Sequence, residues 1–410
     1  MQTEKKGKAL SSILIAALII GTALMSGLTA HNYSQLAAHH SSNAVVGETA
    51  KPDQINLPRF PVSVGLNIKV LDNNGSLVKD VTYPNDLILN NFIEWWAIMT
   101  LGTTESMTTD GNSAGNVGDT LYTSDATGYG NFYTFGGPLV GAGGYIGIGT
   151  GSTSPARTDY ALTTKVGSYS AVDSAIYIQS AQTITFASGF TLTSGATISE
   201  AGYFTKAASG SYYMLFHDTF AGIAVSADQS VQIQYTLNLP ATTMVNLAVY
   251  LAAALQSCLA SSESATCYNE YPMTTTSDAA VTAGSLAMFG VYDCGYQCYC
   301  PSLACLSSDY LLVGTGSAVA VTDHMLDAQV GPTTTSETTT VDLTNHKVLA
   351  LSTIPLTTGY TISESGLYVT STVAMGTSPG NYQFMFTHNS FTGVAVPASS
   401  SITVLDTWSF

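Results

Sequence analysis

The chain has 410 residues with 11 basic against 27 acidic, a formal net charge of -16, and only 9% charged residues in all. An acidic chain so poor in Lys and Arg excludes nucleic acid as a partner, since phosphate contacts require basic surface. A hydrophobic content of 45% excludes disorder, and the length has room for two domains with a core each.

Met1 to Ala9 carries Lys5, Lys6 and Lys8, and the following 21 residues, Leu10 to Ala30, hold no charge. That stretch is long enough to cross a bilayer as a helix, with the basic flank inside. A cleaved secretory signal, an uncleaved anchor and a prepilin-type leader cut between Ala9 and Leu10 all fit. The run is longer than the roughly 7 to 15 apolar residues of a simple signal. Lys6-Gly-Lys-Ala-Leu-Ser-Ser12 resembles archaeal prepilin leaders, where a basic-small pair precedes the cut.

His31 to Arg59 is polar and reads as a linker or an extended arm. From Phe60 to Tyr83, Val62, Val64, Leu66, Ile68 and Val70 share one parity, the period of a half-buried strand. Asp72-Asn-Asn-Gly-Ser76 supplies the turn of a hairpin returning through Leu77 to Val81; as a calcium loop it lacks the downstream Glu. Asp86 to Leu101 then takes helical spacing behind an Asn85/Asp86 cap, and Thr243 to Gln256 is its later counterpart.

The central observation is an echo. Thr197-Ile-Ser-Glu-Ala-Gly-Tyr-Phe204 returns as Thr361-Ile-Ser-Glu-Ser-Gly-Leu-Tyr368. Tyr145-Ile-Gly-Ile-Gly-Thr-Gly-Ser152 returns as Tyr310-Leu-Leu-Val-Gly-Thr-Gly-Ser317, each followed by a Thr-Asp step, and Phe220-Ala-Gly-Ile-Ala-Val225 returns as Phe391-Thr-Gly-Val-Ala-Val396. Collinear matches at offsets of 165, 164 and 171 predict an internal duplication. The repeated positions Gly149/Gly314, Asp159/Asp323, Glu200/Glu364, Gly202/Gly366 and Phe220/Phe391 are structural candidates. The strand-rich stretches after each Gly-Thr-Gly-Ser predict a mainly β chain: two tandem antiparallel β-sandwich domains, each with one short packed helix, plus an N-terminal hydrophobic helix. The expected division is 1–30 leader, 31–59 arm, 60–242 first unit and 243–410 second unit.

Cys258, Cys267, Cys294, Cys298, Cys300 and Cys305 crowd an insert spanning 258–305 with no His among them, which predicts disulfides outside the cell; a zinc cluster is the alternative. Asn32 and Asn74 open glycosylation sequons.

Catalytic chemistry finds little support. Gly147, Gly149 and Gly151 are not followed by the helix a nucleotide site needs. Glu200 and Glu364 fall in different units, whereas a glycosidase needs two carboxylates in one cleft. Each is expected instead to accept backbone N–H bonds or cap a turn; an isopeptide with Lys and Asn is conceivable, Lys347 being the sole Lys of the second unit. His217 and His388, at corresponding places, are expected to be structural. No cofactor, metal or catalytic residue is expected.

The repeated blocks resemble a β-module of phage tail-fibre-type structural proteins, over residues 60 to 240 and 243 to 410. With the leader and the Ser/Thr/Tyr-rich, Lys-poor composition, the chain is similar to archaeal surface filament proteins of the pilin and thread types. The resemblance implies a non-enzymatic, extracellular homopolymer, partnered by copies of itself, in contact with cell or solid surfaces, and with the membrane through its N-terminal helix. Assembly would be by helix packing or by donor-strand insertion of the arm Asn43 to Leu57 into the next subunit. The alternatives are a membrane-anchored adhesin and a viral tail or spike component.

Overall fold

The computed structural model describes residues 54–410 apart from 58–59, 102, 112–113, 119–143, 173, 207–211, 256–271, 275, 278–279, 283–305, 334, 336 and 376–377. The leader with Ala9 and Leu10, Asn32, most of the arm and all six cysteines lie outside the described residues. Among the described residues the fold is mainly β, with several antiparallel sheets and two α-helices.

The chain opens with β1 (Gln54–Asn56) and β2 (Phe60–Pro61), then the hairpin of β3 (Ser63–Leu71) and β4 (Leu77–Tyr83). Asp72 closes that hairpin by accepting the amides of Asn74 and Ser76 on Oδ1, while Gly75 supplies the positive φ of 81° that the turn requires. Next come β5 (Leu87–Ile88), the first helix (Asn90–Leu101), and the hairpin β6 (Thr104–Thr108) with β7 (Ala114–Gly118). The run continues through β8 (Gly144–Gly149), β9 (Lys165–Ala171), β10 (Ser174–Ile178), β11 (Thr183–Thr191), β12 (Ala196–Lys206), β13 (Tyr212–Val225) and β14 (Ser230–Asn238). After the second helix (Val245–Leu255) and the short pair β15 (Pro272–Thr274) and β16 (Ala280–Thr282) come β17 (Leu306–Gly314), β18 (Gln329–Val330), β19 (Glu337–Asp342), β20 (Lys347–Leu356), β21 (Tyr360–Met375), β22 (Ser378–Val396) and β23 (Ser400–Ser409).

Four sheets carry the fold, in the orders β10-β11-β14-β3-β4, β5-β13-β12-β8-β9, β18-β17-β21-β22 and β1-β23-β20-β19. The first two face one another and so do the last two, in a sandwich-like arrangement. Alternation along β3 turns Val64, Leu66, Ile68 and Val70 into the gap, each at most 1% exposed. Burying side chains of this size contributes about 1.5 to 3 kcal/mol each.

Two sequence expectations are corrected. The hairpin begins at Ser63, not Phe60: Phe60–Pro61 pairs with β23 in a different sheet, and the Val62 amide donates to the Ser409 carbonyl. The alternation runs unbroken across this crossing because Val62 and Val64 are both buried, so periodicity alone could not mark it. The first helix begins at Asn90, not behind an Asn85/Asp86 cap. Leu87–Ile88 is instead taken into the ladder of β13, and the Asp86 amide donates to the Val64 carbonyl.

Each helix is mostly apolar and buried because it is covered on two sides. The first lies between β13 and the pair β19/β20; the second lies between β22 and the pair β10/β11. Phe410 packs its ring against Phe92 and Trp96 of the first helix, at 5.8 and 5.6 Å between centroids. Asn91 and Asn246 tie the helix starts down in the same way. Each donates its side-chain amide to two carbonyls, Thr108 and Met214 or Thr274 and Met385, and accepts one amide in return.

Candidate functional site: two Asp-His-Glu pins and an added strand

The repeated residues converge on two buried clusters. In β12 a bulge between Ile198 and Glu200 breaks the pairing with β13, and β21 has the same irregularity between Ile362 and Glu364. Such a bulge re-aims the side chains beside it. Ser199 donates its hydroxyl to the Gly151 carbonyl, as Ser363 does to Gly316. Glu200, 0% exposed, accepts the amides of Gly151, Thr163 and Thr164 at 3.2, 2.6 and 3.2 Å. Glu364, also 0% exposed, accepts those of Gly316, Asp327 and Ala328 at 2.8, 3.2 and 2.9 Å.

A histidine completes each cluster. His217 places Nε2 3.0 Å from Glu200 and Nδ1 2.7 Å from Asp159; His388 places Nε2 3.0 Å from Glu364 and Nδ1 2.9 Å from Asp323. The aspartates also accept a turn amide three residues back, Ala156 or Ala320. Gly149 and Gly314 lie so close to the glutamate carboxylates that a Cβ would overlap them. Gly202 and Gly366 sit opposite the histidines in the ladder, hemmed in by Met214 and Met385. Phe220 stacks on Tyr83 at 5.8 Å, and Phe391 packs at the edge of the core.

The electrostatics follow from this geometry. Burial alone would raise Glu200, but the His217 bond and the amides of Thr163 and Thr164 outweigh it and hold the carboxyl at about 2. Burial would likewise raise Glu364, and the amides of Ala328 and Gly316 with His388 bring it below its ordinary value. For His217, burial lowers the affinity for a proton, but the hydrogen bonds to Glu200 and Asp159 raise it further than burial lowers it. With a carboxylate on each nitrogen and its proton affinity raised, the His217 ring is an imidazolium that donates twice.

The geometry is that of a pin. The His–Asp pairing loses any likeness to a catalytic pair once its partners are counted: both ring nitrogens are occupied, and the nearby Ser199 hydroxyl is committed to a carbonyl. A nucleophile would need a base with a free nitrogen. Among the described residues no group of three or more His, Cys, Asp or Glu is placed to hold a metal ion. The sequence pointed to the glutamates, aspartates and glycines; it did not join them to the histidines. The signal was present, since Asp recurs at an offset of 164 and His at 171, matching the blocks that flank them.

A second feature concerns the outer edge of β23. On the corresponding strand β14, that edge is paired by β3, antiparallel from Ser63↔Asn238 to Leu71↔Ser230. On β23 it is paired by residues from far upstream running parallel: Gln54↔Thr403, Ile55↔Val404 and Asn56↔Leu405, then Phe60↔Trp408 and Pro61↔Ser409. Ile55 and Leu57 are 8% and 5% exposed, so this strand also closes core. Asn74 stands on the exposed hairpin turn. Among the described residues no helix is long and apolar enough to cross a membrane.

Comparison of the chain with protein-family models, with curated proteins and with solved structures finds no match.

Proposed function

We propose that the chain is a non-enzymatic subunit of an extracellular surface filament, a homopolymer exported through its hydrophobic leader. On this reading the two halves descend from one duplicated unit, each a β-sandwich with a packed helix. The resemblance of the repeated blocks to tail-fibre modules and of Lys6 to Ser12 to prepilin leaders supports it, as does a surface dominated by uncharged polar side chains. The observation that carries it is the edge of β23, which receives its neighbouring strand from residues 54–61 and not from its own half. A strand site filled by a sequence-distant segment is one that the same segment of another copy can fill, and head-to-tail exchange of that kind generates open filaments.

A cysteine pair at Gln54 and Thr403, directly opposite in the ladder, tests the assembly. In filaments sheared from the cell surface, oxidation is expected to give a covalent ladder on a non-reducing gel. Filaments whose cross-links all stay within one chain would remove strand exchange and leave packing of N-terminal helices as the mode of assembly. Absence of filaments from surface material by negative-stain microscopy would remove the filament reading itself in favour of an anchored adhesin.

A further inference from the structure

Besides the two pins, the interior holds carboxyl groups that face no cation among the described residues. Asp86, on the approach to β5, and Asp218, on β13, face one another, with the Tyr235 hydroxyl 3.3 Å from Asp218. Asp218 is 8% exposed, and Oδ2 of Asp86 is buried without a hydrogen-bond partner. Glu94, 7% exposed on the first helix, faces Glu105 of β6. Asp406, 0% exposed on β23, accepts from the Thr387 hydroxyl and the Thr407 amide and faces Glu337 of β19, whose Oε2 is likewise buried and unpartnered. Among the described residues the ion pairs of buried carboxylates are those of the two histidines.

Two carboxylates cannot both ionise in such places without a counter-charge. We propose that folding of this chain takes up protons at these three carboxyl clusters, so that the subunit closes in acid and loosens as the medium approaches neutrality.

The groups facing each cluster agree with this. Around Asp86 and Asp218 stand Tyr83, Tyr235, the Leu87 amide and the His217 ring, which is already committed to Glu200 and Asp159. Arg157, which reaches β5, is spent on the Ile88 carbonyl and the main-chain oxygen of Phe410. Thr103 is the neighbour of Glu105, and Thr339 that of Glu337. Burial first, and the second carboxyl next, push Asp86 and Glu94 up, Glu94 to about 8. Burial also raises Glu337 to about 8 and Asp406 to about 7.

A carboxyl raised in the folded state contributes stability that is fully present below its unfolded value near 4 and is lost as pH rises through the folded value. For these clusters the loss spans pH 4 to 8. The raised His217 acts in the same direction above about pH 6.5.

The test is urea unfolding of the whole chain between pH 4 and pH 7. One proton taken up by a single cluster lowers the folding equilibrium constant about tenfold per pH unit, and one by each of three clusters about a thousandfold. The variants Glu94→Gln and Asp406→Asn, each a neutral isostere of the protonated acid, are expected to flatten the slope by about one proton each. Infrared spectra of the folded wild-type chain at pH 6 read the same state without any variant and should show a protonated carboxyl band that unfolding abolishes. Stability that is level or rises from pH 4 to pH 7, or a folded chain at pH 6 with no such band, overturns the proposal.

Discussion

Replacing Glu200 with Gln removes one charge and almost no volume from the first pin. Held at about 2 against an ordinary value of 4.5, the carboxylate contributes about 3 kcal/mol at neutral pH, each tenfold in proton affinity being worth about 1.4 kcal/mol. The contacts give the same order. Three amides and the His217 ring converge on the two oxygens. An amide NH₂ in place of either oxygen would turn a donor toward a donor, and breaking one partner out of a buried ion pair costs about 3 to 5 kcal/mol. Urea titration followed by the fluorescence of Trp95, Trp96 and Trp408, all buried, measures the difference between wild type and variant. Because the folded value is depressed, this contribution is present above the unfolded value near 4.5 and is lost as pH falls through about 2. The gap between wild type and E200Q is therefore expected to be about 3 kcal/mol or more at pH 5 and to narrow toward pH 2. A gap below about 1 kcal/mol at pH 5, or one unchanged at pH 2, would refute the pin as described.

Gly149→Ala drives a Cβ into the Glu200 carboxylate and the Thr164 carbonyl and is expected to cost about 1 to 3 kcal/mol. Gly189→Ala, with nothing within 4 Å of its added Cβ, should stay within about 0.5 kcal/mol of wild type; equal effects from the two in urea titration would contradict the assignment. Leu57→Asp, which buries a charge beside β23, is expected to cost about 2 kcal/mol or more and to speed amide exchange along β23 and β20 while leaving β14 protected. Exchange that rises equally in β14 would mean that the added strand does not act on its own sheet.

What was legible in the sequence were the features written in local period and in repetition. The alternation of β3, the Asp72 to Ser76 turn and the apolar run of each helix follow from side-chain spacing. The echo of Ile-Ser-Glu-x-Gly singled out Glu200 and Glu364 because nothing in strand periodicity asks for a carboxylate at a buried position. What was not legible depends on neighbours remote in sequence. His217 and Asp159 are separated by 58 residues, and no local rule joins them. Gln54–Asn56 lies about 350 residues from Thr403, and three residues of strand carry too little pattern to name a partner. The burial of Asp218 and Asp406 had no local signal either, since burial of an acid is decided by the sheet laid over it.

The parallel course of β1 along β23 has a mechanical consequence. A pull on the chain ahead of Gln54, resisted at the far end of β23, acts along both strands from opposite ends. The hydrogen bonds between them are then loaded together in shear, whereas an antiparallel hairpin such as β3 and β4, drawn apart at its open end, gives way one rung at a time. A subunit tethered through its N-terminal arm would thus meet tension in the direction in which that short ladder resists it best.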